Sequence, residues 1–132
     1  MSYILDSSAI FRAIKDKVID RTANSYTLEL ARYELGNIVW KQHNLFKTID
    51  QKDSLKLIRI IADVLNTLEI LNAKSKEDKI LELAEELNTT FYDTSYLYHA
   101  LELGLPLISE DMKLIEKGRH MGITASTLSE IQ

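Results

Sequence analysis

Four acidic residues lie at positions from which distant parts of the chain could bring carboxylates together. Asp6 directly follows a short apolar run, and Asp111 closely follows another. Glu34 and Asp93 lie in segments whose apolar residues recur at helical spacing. Carboxylates are hard oxygen ligands, and several that converge hold Mg²⁺ or Mn²⁺. The residue types therefore indicate a candidate site for a divalent cation.

Three of these acids also have a simple structural explanation. Asp is a preferred helix N-cap, so Asp6 and Asp111 could each cap the helix that they precede. Asp93 follows Thr90 by three residues, a spacing that approximates a capping box in which the acid answers the threonine. None of the three residues establishes a metal site on its own.

Glu34 is harder to explain as a structural residue. It lies one turn from Leu30 and one turn from Ile38, so it shares the apolar side of its predicted helix. A buried carboxylate without a partner is costly and normally finds a cation or a strong donor. The alternative to metal binding is an internal salt bridge, for which Arg12 and Lys15 are the candidate partners.

The elements that must position these acids alternate along the chain. The predicted strands are Tyr3–Leu5, Tyr26–Leu28, Leu68–Leu71, Leu105–Ile108 and Ile123–Ala125. The predicted helices are 9–20, 29–43, 51–65, one around 80–87, 91–103 and 112–117, the last ended by Gly118. This alternation predicts an α/β fold, a three-layer α/β/α sandwich with a short central parallel sheet. Ligands of such sheets bind beyond the carboxyl ends of the strands, where Asp6 and Asp111 would lie.

Composition limits the class of protein. The 132 residues fit a single domain, residues 1–132, and a hydrophobic fraction of 45% is enough for a full core. The absence of cysteine excludes disulfides, thiolate metal sites and a cysteine nucleophile, and it suits a reducing cytoplasm. We expect no signal peptide and no membrane segment, because no stretch approaches the roughly 20 apolar residues of a span.

The net charge of −4 counts against a protein that binds nucleic acid through Lys and Arg alone. The exception is a site in which bound divalent cations supply the positive charge. The net charge therefore counts against an RNA partner without excluding one.

The remaining candidate residues are predicted to have structural roles. The histidines lack metal-ligand spacing and are predicted to be partly exposed, and the serines lack the context of a catalytic triad. The aromatic residues Trp40, Tyr92, Tyr96 and Tyr98 are predicted to lie in the core or in an interface rather than to stack on bases. Gly36, inside a predicted helix, indicates close packing of another element.

The predicted helix Gln51–Leu65 has a wider apolar surface than one packing partner needs. Leu55 and Leu65 belong to one of its stripes, and Leu57 and Val64 belong to a second. Deep burial within its own domain and a surface shared between subunits explain this pattern equally well.

Four segments resemble, in order, the sequence elements of the PIN-domain family of ribonucleases. They are Tyr3–Ala9, Leu30–Lys41, Tyr92–Leu97 and Leu107–Leu114, and Gly122–Thr124 is similar to the closing strand of the family. In the family, an apolar strand delivers the first catalytic Asp, a helix carries a Glu that points into the site, and two further Asp residues begin helices. The matching residues are Asp6, Glu34, Asp93 and Asp111.

The compact length is most similar to the toxin component of VapBC toxin–antitoxin pairs. The resemblance implies a cytoplasmic, metal-dependent endoribonuclease whose four acids hold Mg²⁺ or Mn²⁺ and hydrolyse RNA phosphodiesters. It also implies that Ser7 and Ser109 orient the carboxylates, and Arg12 or Lys15 is a candidate to steady the RNA backbone.

The resemblance further implies a homodimer and an antitoxin protein that lies across the active-site groove. We expect those contacts at the helix Gln51–Leu65 and near Trp40. The alternative function is a catalytically silent PIN-like module that acts through protein partners. A haloacid-dehalogenase phosphatase is excluded, because it would need a second Asp two residues after Asp6, where Ser8 stands.

Overall fold

The centre of the protein is a sheet of five parallel strands, each only two or three residues long. The computed structural model describes residues 1–131. The strands are β1 (Ile4–Leu5), β2 (Tyr26–Leu28), β3 (Glu69–Leu71), β4 (Leu107–Ile108) and β5 (Ala125–Ser126). Their order is β3-β2-β1-β4-β5, and every pairing is parallel, so β1 is the central strand.

Helices pack on both faces of this sheet. They are α1 (Ser7–Lys15), α2 (Glu29–Trp40), α3 (Gln51–Leu65), α4 (Glu77–Leu87), α5 (Phe91–Leu103) and α6 (Met112–His120). Short 3₁₀ turns cover Ile19–Thr22 and Leu128–Glu130, and the π-helical segment Lys41–Leu45 extends α2. Within residues 1–131, no helix combines the length and the apolar character needed to cross a membrane.

The alternation of side chains along the strands separates the two helical layers. Leu5 and Ile108 point into a core shared with α1, α2 and α3. Their neighbours Ile4 and Leu107 point into a second core, shared with α5 and α6. The predicted three-layer α/β/α sandwich is confirmed.

Helix α1 differs from its predicted bounds at both ends. It begins at Ser7 with Asp6 as its N-cap, and it ends at Lys15 instead of near Asp20. The cause of the early end is Lys17, whose φ of 59° is left-handed and incompatible with a continuing helix.

Helix α6 continues through Gly118 to His120, so the prediction that Gly118 ends it is wrong. A Cβ atom at Gly118 would lie 3.4 Å from side-chain atoms of Leu97 and of Ala125. The glycine therefore allows α6 to approach α5 and β5 closely. The left-handed residue that follows the helix is Gly122, with a φ of 85°.

Strand β4 is shorter than predicted because the end of α5 uses the preceding residues. Gly104 adopts a left-handed conformation after α5, and the backbone N–H of Leu105 donates to the Ala100 carbonyl at 3.0 Å. Pro106 has no N–H to contribute to a ladder. Regular pairing with β1 therefore begins at Leu107.

Gly36 shows open space where close packing was predicted. No atom outside the local helix lies within 4 Å of a Cβ built at this position. The prediction of a packed neighbour at Gly36 is therefore wrong for this chain on its own.

Replacement of Gly36 by alanine should stabilise the protein. Alanine in a helix interior is favoured over glycine by about 1 kcal/mol, and nothing obstructs the added methyl group. Urea unfolding of Gly36→Ala should show this gain. The matched control is Gly104→Ala, which should lose stability because its φ of 65° strains any residue with a Cβ. A less stable Gly36→Ala would mean that another element packs on that position in solution.

Candidate active site

Asp6 lies at the carboxyl end of the central strand and is only 5% exposed. Its Oδ1 accepts hydrogen bonds from the Ala9 backbone N–H at 2.9 Å and from the Ser8 hydroxyl at 2.7 Å. Its Oδ2 accepts from the Ser109 hydroxyl at 2.5 Å. Asp6 is therefore a true N-cap, and its carboxylate is also held from the neighbouring strand β4.

Burial raises the pKa of Asp6 from 3.8 to about 6. The hydrogen bonds from Ser109, Ser8 and Ala9 favour the charged form and oppose this rise. The charge of Glu34 adds a smaller contribution to the rise. The fold thus holds an acid in a place where its negative charge is unfavourable.

Glu34 is partly buried on α2, and its partner is a tyrosine. The Tyr96 hydroxyl donates to Oε1 of Glu34 at 2.6 Å. Tyr96 is almost completely buried, and burial together with the Glu34 carboxylate raises the pKa of its hydroxyl, which therefore stays a donor. This hydrogen bond joins α2 to α5.

The alternative of an internal salt bridge for Glu34 is not what the structure shows. Arg12 pairs with Asp16 and approaches Glu110 at 3.8 Å, and Lys15 is exposed. Glu110 itself is partly buried and accepts a hydrogen bond from the Leu128 backbone N–H at 2.9 Å. Neither predicted cation reaches Glu34.

Asp93 and Asp111 form a second pair of neighbouring acids. Asp93 lies in the first turn of α5, and its pKa is raised by burial and by the charge of Asp111 and lowered by Lys117. Asp111 caps α6 by accepting from the backbone N–H groups of Lys113 at 3.0 Å and Leu114 at 3.4 Å. Both acids thus lie next to each other at helix N-termini.

Only one of the two hydrogen bonds of the predicted capping box at Thr90 and Asp93 is present. The Thr90 hydroxyl accepts from the Asp93 backbone N–H at 3.1 Å. No reciprocal hydrogen bond from Thr90 to the Asp93 carboxylate occurs in the described part of the chain. The Asp93 carboxylate therefore remains available for another ligand.

Two serine hydroxyls connect these acids to the backbone of the neighbouring loop. Besides its bond to Asp6, Ser109 accepts from the Asp111 backbone N–H at 2.9 Å. Ser8 likewise accepts from the Glu110 backbone N–H at 2.9 Å. The side chain of Ser7 makes no hydrogen bond to a carboxylate among the described residues, and Ser8 occupies the place that was expected for it.

The donor chemistry of the site suits a hard divalent cation, although the side chains are not arranged as a closed cage. In residues 1–131, no three or more acidic, histidine or cysteine side chains form a group that could hold a metal ion. Among the four carboxylates, the charge of Glu34 acts on Asp6 and the charge of Asp111 acts on Asp93. Over the same residues, no Lys or Arg makes an ion pair with any of the four. Oxygen-only ligands and uncompensated negative charge fit Mg²⁺ or Mn²⁺.

Tyr96 and Ser8 are the two site residues that the sequence analysis missed. Tyr96 is three residues after Asp93 and so lies on the same side of α5. A buried tyrosine hydroxyl usually has a polar partner, and that rule was a usable signal. The prediction that His99 is partly exposed is wrong, because it is fully buried with Nδ1 2.7 Å from the Ser95 carbonyl oxygen.

Comparison with known proteins shows which family this arrangement belongs to. No protein-family model matches the chain. Exonuclease VapC9 from Pyrobaculum aerophilum is 34% identical over 119 residues, which are 89% of this chain and 86% of the relative. This chain belongs to the VapC family. Ribonuclease VapC3 from the same organism is 23% identical to this VapC-family protein over 125 residues, 89% of the chain and 95% of the relative.

Solved structures agree with this assignment. The crystal structure of PAE2754 from Pyrobaculum aerophilum matches with a TM-score of 0.80 and 29% identity, covering 98% of this chain and 91% of that one. VapBC-1 from nontypeable Haemophilus influenzae matches with a TM-score of 0.56 and 16% identity, covering 98% and 99% of the two chains. The second likeness shows the fold alone. The resemblance to VapC-type PIN domains is confirmed for the family and the fold.

The buried charge of this VapC-family protein should make its stability depend on pH. The pKa of Asp6 in the folded protein, about 6, lies above the ordinary 3.8. The stabilisation that Asp6 contributes to the free energy of unfolding is therefore fully present below about pH 4 and is lost as the pH rises through 6. Asp6→Asn should remove this fall and, without divalent cations, leave stability at pH 7 unchanged or higher by at most about 3 kcal/mol.

Urea unfolding between pH 4 and pH 8, in the presence of a chelator, measures this effect. Asp16→Asn is the control, because it changes an exposed aspartate at the other end of α1. If Asp6→Asn lost stability between pH 4 and pH 8 as steeply as the wild type, the assigned burial of charge would be wrong.

Proposed function

We propose that this VapC-family protein is a metal-dependent endoribonuclease that hydrolyses RNA phosphodiesters. Its catalytic residues are Asp6, Glu34, Asp93 and Asp111, and its cofactor is Mg²⁺ or Mn²⁺. The observation that carries the proposal is the buried Asp6 carboxylate, whose pKa is raised and which has an acidic neighbour and no cationic partner among residues 1–131. Such an arrangement is unfavourable for folding and therefore indicates a function.

The four carboxylates are the groups that would hold the metal. A bound divalent cation supplies an activated water at neutral pH and neutralises the charge that develops on the phosphate. Ser8 and Ser109 fix both oxygens of Asp6, and Tyr96 fixes Glu34, so these side chains are positioned before a substrate arrives.

Lys117 is a cation whose charge acts on the candidate site. It lowers the pKa of Asp93 and lies on α6, where its Nζ donates to the Leu87 carbonyl at 3.3 Å. Arg12, by contrast, is engaged by Asp16. We assign to Lys117, and not to Arg12 or Lys15, the role of steadying the RNA backbone.

The name of one relative, an exonuclease, states attack from a chain end, whereas the name of the other, a ribonuclease, states the substrate and no mode of attack. Our choice of internal cleavage follows the resemblance of the four sequence segments, which implies an endoribonuclease. Covalently closed circular RNA distinguishes the two modes, because it has no ends to digest.

Asp6→Asn and Asp93→Asn should each slow RNA cleavage by at least about 100-fold in the presence of Mg²⁺ or Mn²⁺. Each change removes a charged oxygen ligand and keeps the shape of the side chain, and the loss of mere supporting groups at metal sites already costs 10–100-fold. The measurement is cleavage of circular and linear RNA of one sequence, with DNA of that sequence as a comparison.

Asp16→Asn should cleave at the wild-type rate, and a chelator should stop cleavage by the wild type until the metal is restored. Wild-type rates in Asp6→Asn and Asp93→Asn would refute the site. Cleavage of linear but not circular RNA would replace the endonuclease with an exonuclease. A pure wild-type protein that cleaves no RNA with either metal would favour the alternative, a silent module acting through protein partners.

We further propose that the protein is the toxin of a toxin–antitoxin pair and acts in the cytoplasm, where its RNA substrate is found. The support is that solved neighbours include VapBC complexes, among them the one from Haemophilus influenzae. An antitoxin would lie across the proposed active site.

A homodimer is the remaining part of the proposal, with α3 as its interface. The α3 residues Ile61, Val64 and Leu65 are buried in the protein's own core, whereas Leu55 and Ile60 are exposed. Leu55 also lines an apolar groove of about 260 Å³ together with Gly36, Val39, Trp40 and Ile58. Each predicted stripe is thus divided: Leu65 and Val64, one from each, serve the fold, whereas Leu55 and Ile60 are exposed.

Leu55→Glu should convert the dimer to a monomer, because a carboxylate in an apolar interface is costly to desolvate. Light scattering at micromolar concentration measures the mass. Leu81→Glu on α4, at a similarly exposed leucine away from the groove, should remain dimeric. A monomeric wild type at that concentration would show that the dimer proposal is wrong.

A further inference from the structure

A small cavity adjoins the candidate active site on the side of Glu34. It has a volume of about 250 Å³ and is lined by Leu30, Tyr33, Glu34, Asn37 and Tyr92. The four α2 residues have the spacing of one helix face, and Tyr92 directly precedes Asp93 on α5. One of the four acids, Glu34, therefore lines the cavity, and the chain neighbour of a second acid lines it as well.

The two tyrosines of this cavity are unusually exposed. Tyr33 is 72% exposed and Tyr92 is 62% exposed. The one close pair of aromatic rings among residues 1–131 is Tyr98 with His99, so neither Tyr33 nor Tyr92 is stacked on another ring. Two aromatic rings from different helices thus present free faces to a space beside Glu34, although tyrosine normally buries most of its surface.

We propose that this cavity binds one unpaired nucleobase of the substrate strand, held by stacking on Tyr33 and Tyr92. The inference rests on the proposed ribonuclease function and adds to it a subsite for one base of the substrate strand. Bases splayed out of single strands stack on aromatic side chains, and this contact tolerates any base because each has a π face. The Asn37 amide can both donate and accept, so it can bond to the edge of a stacked base.

The size of the cavity limits what it can hold. Pockets for whole small-molecule ligands usually have about 300–1,000 Å³, and this one has about 250 Å³. It accommodates one planar ring system and leaves the ribose and phosphate outside, next to Glu34. A stacked base would thereby place its own phosphodiester beside the carboxylates.

Charged residues on the opposite side of the site indicate the path of the bound RNA strand. Because β2 and β4 flank β1, Glu34 and Asp111 lie on opposite sides of the central strand. Beyond Asp111, a wide groove of about 610 Å³ is lined by Lys113 and Lys117 and also by Glu86 and Glu116. A single strand that stacks at the tyrosines can cross the acids and reach the two lysines with its backbone phosphates.

The test combines variants with modified substrates. A fluorescently labelled single-stranded RNA with one cleavage site is prepared intact and with a single abasic residue at each position around that site. Steady-state cleavage in Mg²⁺ or Mn²⁺ gives KM and kcat for the wild type, Tyr33→Ala, Tyr92→Ala, Tyr33→Phe and Tyr92→Phe. Phe46→Ala is the matched control, because it removes an exposed aromatic ring beyond the other end of α2.

We expect each alanine variant to raise KM about tenfold or more, with a smaller effect on kcat and no change in Tm. The phenylalanine variants should restore most of the affinity, because stacking needs the ring and not the hydroxyl. One abasic position next to the cleaved bond should raise the wild-type KM by a similar factor. That abasic penalty should shrink or vanish in Tyr33→Ala and Tyr92→Ala, since the two losses remove the same contact.

Wild-type KM in both alanine variants would overturn the inference, as would abasic penalties that are unchanged in those variants. An equal rise in KM in Phe46→Ala would show that loss of any exposed aromatic ring weakens RNA binding, and this result would overturn the inference as well. If the alanine variants instead lost affinity only for a protein partner, the cavity would be a protein contact and not a base subsite. A wild type that cleaves RNA while the tyrosine variants behave normally would leave the proposed function standing. A wild type that cleaves no RNA would remove both.

Discussion

The burial of the Asp6 carboxylate at the end of the central strand is the constraint on which the rest of the site depends. An isolated buried charge is unfavourable, and here burial and Glu34 together raise its pKa. Three hydrogen bonds stabilise the charged form of Asp6. Ser8 and Ala9 donate two of them from the start of α1, and Ser109 donates the third from the residue that follows β4. These bonds fix the acid without neutralising it. The remaining negative charge is what makes the site suited to a divalent cation.

The sequence was sufficient to predict where the chain would place Asp6 and Asp111. An apolar run followed by Asp predicts a strand that ends in a helix cap, and both residues are caps in the structure. Parallel strands have their carboxyl ends at one edge of the sheet, so the proximity of these two loops followed from the alternation of elements. The capping and metal-binding explanations are compatible, because each carboxylate oxygen has two lone pairs and the cap of Asp111 uses only Oδ1.

The rotation of each helix against its neighbours could not be predicted in the same way. The contact of Tyr96 with Glu34 depends on how α2 and α5 face each other across the end of the sheet, which no local pattern encodes. The predictions made for the two helical glycines were wrong for the same reason. Gly36 faces open space, whereas Gly118 permits a close approach to Leu97. Helical periodicity predicts which residues share a face and gives no information on what that face meets.

The hydrogen bond between Tyr96 and Glu34 also has a mechanical consequence. It joins helices from opposite layers of the sandwich, past the end of strands that are only two or three residues long. Because the strands are short, the sheet connects the two helical layers over a small distance, and this hydrogen bond is an additional contact between the layers. A ligand that moves the carboxylate of Glu34 away from Tyr96 breaks the bond. Ligand binding at Glu34 and the contact between the two layers are thereby coupled through one proton.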